Sequence, residues 1–320
     1  MILIVEEIHP ALMEALSLQE IPFLYQPQIT KEEVLNSIAS FKGIVVRSKF
    51  YIDKDFIDSA TSLRFIARAG SGTDTIDAEY AKQNGIELIH APEALCDSVA
   101  EHTLGLILTL KHKITAGNHQ IRNYVWNREA NRGVEIKGST IGIIGYGHTG
   151  SAVAKKLSGF GMKVLAYDKY KIPQQAKDGS FFFDAYATSC DLETIYEQSD
   201  ILTLHIPLTM ETMGWVNKQF FDEFKKSITF VNCARGKIVV TTDLVAALQQ
   251  GKVIGAALDV LEQEPPLNAH MNSIGWFNEL QAMDNVVLTP HVAGWSVQSY
   301  ERISKVLSQK IIAFLNHENN

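Results

Sequence analysis

The stretch Ile141-Gly-Ile-Ile-Gly145-Tyr-Gly147-His-Thr-Gly150 constrains this chain more than any other. An apolar run of strand character stops at Gly145, and a helix-like segment begins directly behind it. The spacing is G-x-G-x-x-G. Gly145 permits the tight turn, Gly147 lets the backbone approach a pyrophosphate, and Gly150 lets helix and strand pack closely. The N–H groups and positive dipole end of the helix, around His148 and Thr149, suit an anion. Asp168 closes the next strand-like run, 21 residues after Gly147, near the spacing of a ribose-binding acid. A carboxylate there accepts from a 2′-hydroxyl and repels a 2′-phosphate. NAD is therefore expected over NADP, although Lys169 and Lys171 leave some room for NADP. The plainer alternative is a tight turn followed by a surface acid; a strand before, a helix after and an acid at the next strand end speak against it.

Around this loop, short apolar runs alternate with helix-like stretches. Ile2–Val5, Gly43–Val46, Phe65–Ala67 and Ile86–Ile89 read as buried strands, with helices near Pro10–Leu18, Lys31–Ser40, Asp53–Ala60 and Asp77–Gln83. Such a rhythm implies a parallel sheet covered on both faces. Leu95 to about Ala116 reads as one long helix, followed by a polar, irregular stretch, Asn118–Gly138, holding Trp126. Six further strands follow at Ile141–Ile144, Val164–Tyr167, Ile201–Leu204, Ile228–Val231, Ile254–Leu258 and Val286–Leu288, the count of a doubly wound dinucleotide domain. A closing helix spans about Ser296–Leu315. The expected fold class is α/β with two doubly wound parallel-sheet domains. A flavodoxin-like substrate domain, 1–95 and 296–320, flanks a Rossmann-type cofactor domain, 96–295. The cleft between the two is the expected active site.

Composition narrows the function classes. Hydrophobic residues make up 46% of the 320 residues and charged residues 20%, an ordinary globular balance. The formal charge is -7 with no clustered Lys/Arg run, so no nucleic-acid partner is expected. Cys96, Cys190 and Cys233 form neither a CxxC pair nor an even set, which suggests no disulfide framework and no metal site. The start, MILIVEE, lacks the form of a signal peptide, and no apolar run reaches membrane-spanning length. The cytoplasm is the expected compartment, with no membrane partner.

Three later segments, Val231-Asn-Cys-Ala-Arg-Gly236, Leu258-Asp-Val-Leu-Glu-Gln-Glu-Pro265 and Leu288-Thr-Pro-His-Val-Ala-Gly294, follow the dinucleotide loop in order. With them the chain resembles the D-isomer-specific 2-hydroxyacid dehydrogenases, from the Arg-Ala-Gly-Ser-Gly loop at 68–72 to Gly294. The resemblance implies a substrate arginine at Arg235, whose guanidinium fork holds a carboxylate and polarises the C2 oxygen. It implies a general acid/base at His291, an imidazole being suited to proton transfer near neutral pH. Glu264 is implied as its carboxylate partner, fixing the ring tautomer. The similar formate dehydrogenases carry Gln there, so Glu264 argues against formate. Asp259 is implied near the nicotinamide carboxamide, and Ile206, Pro207, Cys233, Ala234 and Gly294 at the cofactor. Cys233 is expected as a small apolar residue rather than a nucleophile. The stretch from Glu264 to His291, including Asn268–Gln281, is longer than is usual in the family, and a loop over the cleft or an oligomer contact is expected there.

In the first domain, Val46-Arg47-Ser48 and Arg68-Ala-Gly70-Ser71-Gly72 stand where the family grips its substrate. Backbone N–H groups of a Gly-rich turn form an anion nest, to which Ser71 adds a hydroxyl. The run from Arg68 to Asp77 looks most like the D-3-phosphoglycerate dehydrogenases, in a short form without their C-terminal regulatory domain, and Arg47 and Arg68 match positions on the phosphate side. The resemblance thus implies a small anionic substrate, 3-phosphoglycerate oxidised to 3-phosphohydroxypyruvate at the entry to serine synthesis. If the two arginines instead form ion pairs or face solvent, glyoxylate, hydroxypyruvate or D-lactate leads. A rival of another class is an NAD(H)-sensing scaffold like the corepressors built on this fold, which keep the same Arg-Glu-His set. A third is a homologue that binds NAD without turnover. A homodimer is expected, paired through the long helix after Leu95 and the arm around Trp126; the alternative for Trp126 is ordinary core.

Overall fold

The computed structural model describes residues 1–177, 179–264 and 274–318. The chain divides into two compact units, Met1–Cys96 with Trp295–Asn320, and Asp97–Gly294.

The first unit begins with β1 (Ile2–Ile4), α1 (Ala11–Leu18), β2 (Phe23–Tyr25), α2 (Lys31–Ser37), β3 (Gly43–Val46), α3 (Lys54–Ser59), β4 (Phe65–Arg68), α4 (Ala78–Gln83) and β5 (Glu87–His90). All pairings are parallel, in the order β2-β1-β3-β4-β5. This is the flavodoxin-like order, whose direction of winding switches between β1 and β3. Every residue of β1 and β3 is buried, as continuous apolar runs in a doubly covered sheet require. Local chemistry sets the helix starts. Thr30 and Glu33 form a reciprocal capping box on α2, and Asp53 and Asp77 accept from the Phe56 and Tyr80 N–H groups, so one orphan donor of each first turn is satisfied by the cap side chain. β2 escaped the sequence reading: only three apolar residues stand between Pro22 and Pro27.

The second unit opens with α5 (Cys96–Lys111) and α6 (Ile114–Arg122). The single long helix expected here is therefore two. Lys113 adopts a left-handed φ of 52°, and the Lys111 carbonyl accepts from the Val134 N–H at 2.8 Å instead of a helical donor. α6 also enters the stretch expected to be irregular.

There follow β6 (Thr140–Ile144), α7 (His148–Leu157), β7 (Lys163–Tyr167), β8 (Gln174–Gln175), β9 (Phe181–Asp184), β10 (Ala187–Ser189), α8 (Leu192–Gln198), β11 (Ile201–Leu204), α9 (Lys218–Glu223), β12 (Ile228–Asn232), α10 (Thr241–Gln249), β13 (Val253–Leu258), α11 (Gly275–Gln281) and β14 (Val286–Leu288). The sheet has nine strands, ordered β14-β13-β12-β11-β6-β7-β10-β9-β8. The count of six expected from sequence is corrected. β10, short and half exposed, takes the third place of the dinucleotide-domain order beside β7, and β8–β9 extend that edge antiparallel. Of the segment expected as a loop or oligomer contact, α11 instead packs on the core through Leu280 and Trp276; residues 265–273 lie outside the described residues.

The last helix, α12 (Val297–Glu318), returns to the first unit. Ile303, Leu307 and Ile311 pack with Ile2, Ile4, Val45 and Phe65 on one face of the sheet. Truncating a buried leucine of this kind costs about 2–5 kcal/mol. Among the described residues no helix is long and apolar enough to cross a membrane.

Candidate active site

The turn from β6 into α7 shows why its glycines are needed. Gly145 has φ +92°, and a Cβ there would lie 2.4 Å from the His205 carbonyl oxygen. A Cβ on Gly150 would lie 2.0 Å from the Gly145 oxygen. Both positions are closed to larger residues by protein atoms alone. Gly147 differs: a Cβ there would meet no protein atom within 4 Å. The open space beside it suits the approach of a pyrophosphate. No side chain caps α7, so the N–H groups of its first turn, at His148 and Thr149, face this space without a side-chain acceptor.

The Asp168 carboxylate accepts from the Tyr146 N–H at 2.7 Å, and from the Tyr170 and Lys171 N–H groups at 2.9 Å each. Burial works against its ionisation, but these donors outweigh it and hold the carboxyl below the usual range. Lys171 Nζ sits 4.7 Å above the Tyr146 ring, Tyr146 stacks on Phe183, and its hydroxyl donates to Asp184 at 2.8 Å. Ile206 packs on the core beside Gly145, and the Pro207 carbonyl accepts from the Thr212 hydroxyl. The glycine that leaves open space, the uncapped helix start and the ionised acid all fit NAD.

Beyond β12, the buried Asn232 side chain bonds both the Ala234 N–H and the Arg235 carbonyl. This tight turn presents Arg235, whose Nη1 donates to the Ala234 carbonyl at 2.7 Å. Gly236 follows because a Cβ there would lie 1.8 Å from the Leu261 oxygen. Cys233 is buried, and burial pushes its thiol up to about 12, so it stays protonated and unreactive.

His291 Nδ1 lies 2.7 Å from Glu264 Oε2, and the ring is 48% exposed. A carboxylate at that distance selects the tautomer with the proton on Nδ1, leaving Nε2 as base. The backbone of His291 is in the left-handed region, φ 54°, which costs a non-glycine residue of order 1–3 kcal/mol. Asp259 holds it there. Its carbonyl accepts from the His291 N–H, and its carboxylate from the Val292 and Ala293 N–H groups and the Thr289 hydroxyl. His102 Nε2 stands 3.4 Å away. Burial pushes the Asp259 carboxyl up, but His102, Thr289 and the two N–H donors prevail and hold it below the usual range. The Asp259 carboxylate is covered and serves the turn that carries His291.

In the first unit, the ends of β3 and β4 carry the expected substrate residues. Glu6, only 8% exposed, accepts from the Arg47 and Ser48 N–H groups. The Ser48 N–H is thus taken, leaving Ser48 its hydroxyl. The Arg47 guanidinium lies over Trp295, 4.7 Å from the ring centroid. Arg68 folds back over its own loop, its Nη1 filling the place of a Cβ on Gly70. His90 Nδ1 bonds the Ser71 carbonyl at 2.8 Å, which fixes the turn into Gly72.

The sequence profile for the D-isomer specific 2-hydroxyacid dehydrogenase, NAD binding domain, matches residues 104–293. The chain belongs to the D-isomer-specific 2-hydroxyacid dehydrogenase family. It is 35% identical to D-3-phosphoglycerate dehydrogenase of Archaeoglobus fulgidus over 89% of this chain and 51% of that protein. It is 36% identical to glyoxylate reductase of Thermofilum pendens over 90% of this chain and 83% of that one. The chain thus spans about half the length of the phosphoglycerate dehydrogenases it matches. In three dimensions it is similar to D-lactate dehydrogenase of Aquifex aeolicus complexed with NAD and lactic acid. That likeness has TM-score 0.83 and 28% identity, and covers 99% of this chain and 96% of that one.

For a dehydrogenase of this family, several participants were invisible in sequence. Glu6 reads as a surface acid after a strand, and only its place at the β1/β3 switch could have marked it. Trp295 directly follows the Gly294 motif but gives no signal by itself. Thr289 meets Asp259 through the pairing of β14 with β13, and His102 reaches them from α5.

Proposed function

We propose that this chain is an NAD-dependent oxidoreductase interconverting a D-2-hydroxy acid and its 2-oxo acid. The observation that carries it is the His291–Glu264 pair at 2.7 Å, in a family whose NAD-binding domain the chain contains. Bound nicotinamide supplies the acceptor or donor of the C2 hydride. Arg235 holds the substrate carboxylate and polarises the C2 oxygen. In oxidation, His291 Nε2 takes the hydroxyl proton as the C2–O bond becomes a carbonyl, and Glu264 stabilises the imidazolium through Nδ1–H. Gly145, Gly147 and Gly150 with His148, Thr149 and Asp168 hold the pyrophosphate and ribose, while Ile206, Pro207, Cys233, Ala234 and Gly294 line the remaining cofactor contacts.

The substrate we favour is 3-phosphoglycerate, oxidised to 3-phosphohydroxypyruvate in serine synthesis. Support comes from Arg47, half-buried with its guanidinium against an indole and no carboxylate partner among the described residues. A cation so placed suits a dianionic phosphate, with Arg68, Ser48, Ser71 and Gly72 as further donors. Glyoxylate or hydroxypyruvate reduction is the second reading, favoured by the fuller overlap with the glyoxylate reductase. The 1–96 and 295–320 unit is the substrate domain in this reading and 97–294 the cofactor domain. The arm after α6, with Tyr124 and Trp126 exposed, the latter by 80%, is an apolar surface suited to pairing in a homodimer. Three unpaired cysteines suit a reducing cytoplasm.

The test is NADH oxidation with 3-phosphohydroxypyruvate, hydroxypyruvate, glyoxylate and pyruvate in parallel. Preference for the phosphorylated acid supports the serine-pathway reading. Equal or better rates with the others remove the phosphate site and keep the dehydrogenase. No turnover with any of them, despite NADH binding, favours a sensor or scaffold.

A further inference from the structure

We propose that Trp295 is the positioning residue of Arg47, and that the pair makes the first unit selective for substrates bearing a phosphate beyond C2. This rests on the reading of Arg47 as an anion receptor.

Two groups fix Arg47 from opposite ends. At the backbone, the buried Glu6 carboxylate takes the N–H groups of Arg47 and Ser48. These donors stand at the β1/β3 switch, where a sheet of this order commonly offers its backbone to a ligand. Here the chain's own acid fills that nest, so at this switch an incoming anion meets side chains. At the other end, the guanidinium lies over the Trp295 indole. Stacking on an aromatic face engages the flat side of a guanidinium and leaves its in-plane N–H fork for an oxyanion.

Trp295 is itself held in place. Ser296 and Ser299 exchange side-chain and backbone hydrogen bonds at the start of α12, Ser296 N to Ser299 Oγ at 2.9 Å and Ser299 N to Ser296 Oγ at 3.1 Å. The residue before this cap is thereby anchored. The Trp295 ring also tilts against Tyr300 at 5.5 Å, and Tyr300 meets His9 edge-on. Yet Trp295 remains 54% exposed, so filling the core does not account for it. A supported indole at the surface, covering an arginine whose guanidinium has no acid partner among the described residues, is a platform for that arginine.

The experiment compares kcat/KM for 3-phosphohydroxypyruvate with that for hydroxypyruvate, which lacks only the phosphate, in wild type and in Trp295→Leu, Trp295→Phe, Arg47→Ala and Trp295→Leu/Arg47→Ala enzymes. Trp295→Leu is expected to lower the phosphorylated-to-unphosphorylated ratio about three- to thirtyfold, mainly through KM, and Trp295→Phe to restore most of it. In the Arg47→Ala background, Trp295→Leu should have no further effect on the ratio. If Arg47→Ala lowers the ratio but Trp295→Leu leaves it unchanged, the role of Trp295 is overturned and the Arg47 reading stands. If Arg47→Ala leaves it unchanged, both are overturned. Should Trp295→Leu not fold, the ratio in Trp295→Gln/Arg47→Ala against its parents decides, glutamine suiting a side chain that is 54% exposed: additive losses refute the coupling, and a missing second loss supports it.

Discussion

Each unit ends its parallel sheet in an acid that gathers backbone N–H groups, yet the two acids do opposite work. Asp168, in the second unit, takes the N–H of Tyr146 and so fixes a glycine loop whose own helix start stays uncapped. Backbone donors of the helix start remain there without a side-chain acceptor. Glu6, in the first unit, takes the N–H groups of Arg47 and Ser48 and closes the corresponding nest. What that end of the sheet still offers is side chains, with the Arg47 guanidinium over the Trp295 indole. In the proposed reading, backbone donors hold the cofactor and side chains read the far end of the substrate.

That contrast can be broken or sharpened by mutation. The largest expected effect lies on the chemical step: His291→Ala should lower kcat by roughly 10²–10⁴-fold while NADH still binds, as measured by NADH fluorescence. Loss of NADH binding instead would put His291 in the cofactor site. Next, Arg47→Ala should lower kcat/KM for 3-phosphohydroxypyruvate by about 10–100-fold, the worth of hydrogen bonds to a charged group, and change NADH affinity little. An NADH effect of equal size would abolish the division of labour. Asp168→Ala is expected to weaken NADH by about tenfold and NADPH by less; equal losses would remove Asp168 from the ribose.

The smallest effect concerns acid stability. The folded state depresses the Asp168 carboxyl below its usual range. Its contribution is therefore complete above the ordinary carboxylate pKa near 4 and is lost as pH falls through the lower folded value. Denaturant titrations of Asp168→Asn should show a flatter decline of stability below that pH than wild type. An unchanged acid limb would mean the three N–H donors do not favour the charged form.

Legibility in sequence followed the range of the interactions. The inner strands β1 and β3 of the first unit could be read because both faces of a parallel sheet are covered, which turns Ile2–Ile4 and Gly43–Val46 into unbroken apolar runs. The glycine loop and the segments around Arg235 and His291 are contiguous and were legible as motifs. β10 was not: its residues, Ala187-Thr-Ser189, are neither continuously apolar nor fully buried. The break between α5 and α6 hid for another reason, since neither Gly nor Pro marks it and the left-handed Lys113 is set by a bond from Val134. Glu6 and Trp295 meet Arg47 only after folding, from opposite ends of the chain, and no local pattern encodes that.

The place of α12 in the chain bears on how the protein is made. Ile303, Leu307 and Ile311 complete the hydrophobic cluster of Ile2, Ile4 and Phe65, so β1 and β4 wait for a helix that is made after the whole 97–294 unit. On the ribosome the 97–294 unit has all of its strands before the other has its covering helix. Until α12 is made, Leu12 and Leu16 of α1 cover that apolar face only in part, and a stall before α12 would release a polypeptide prone to aggregate or to be captured by chaperones.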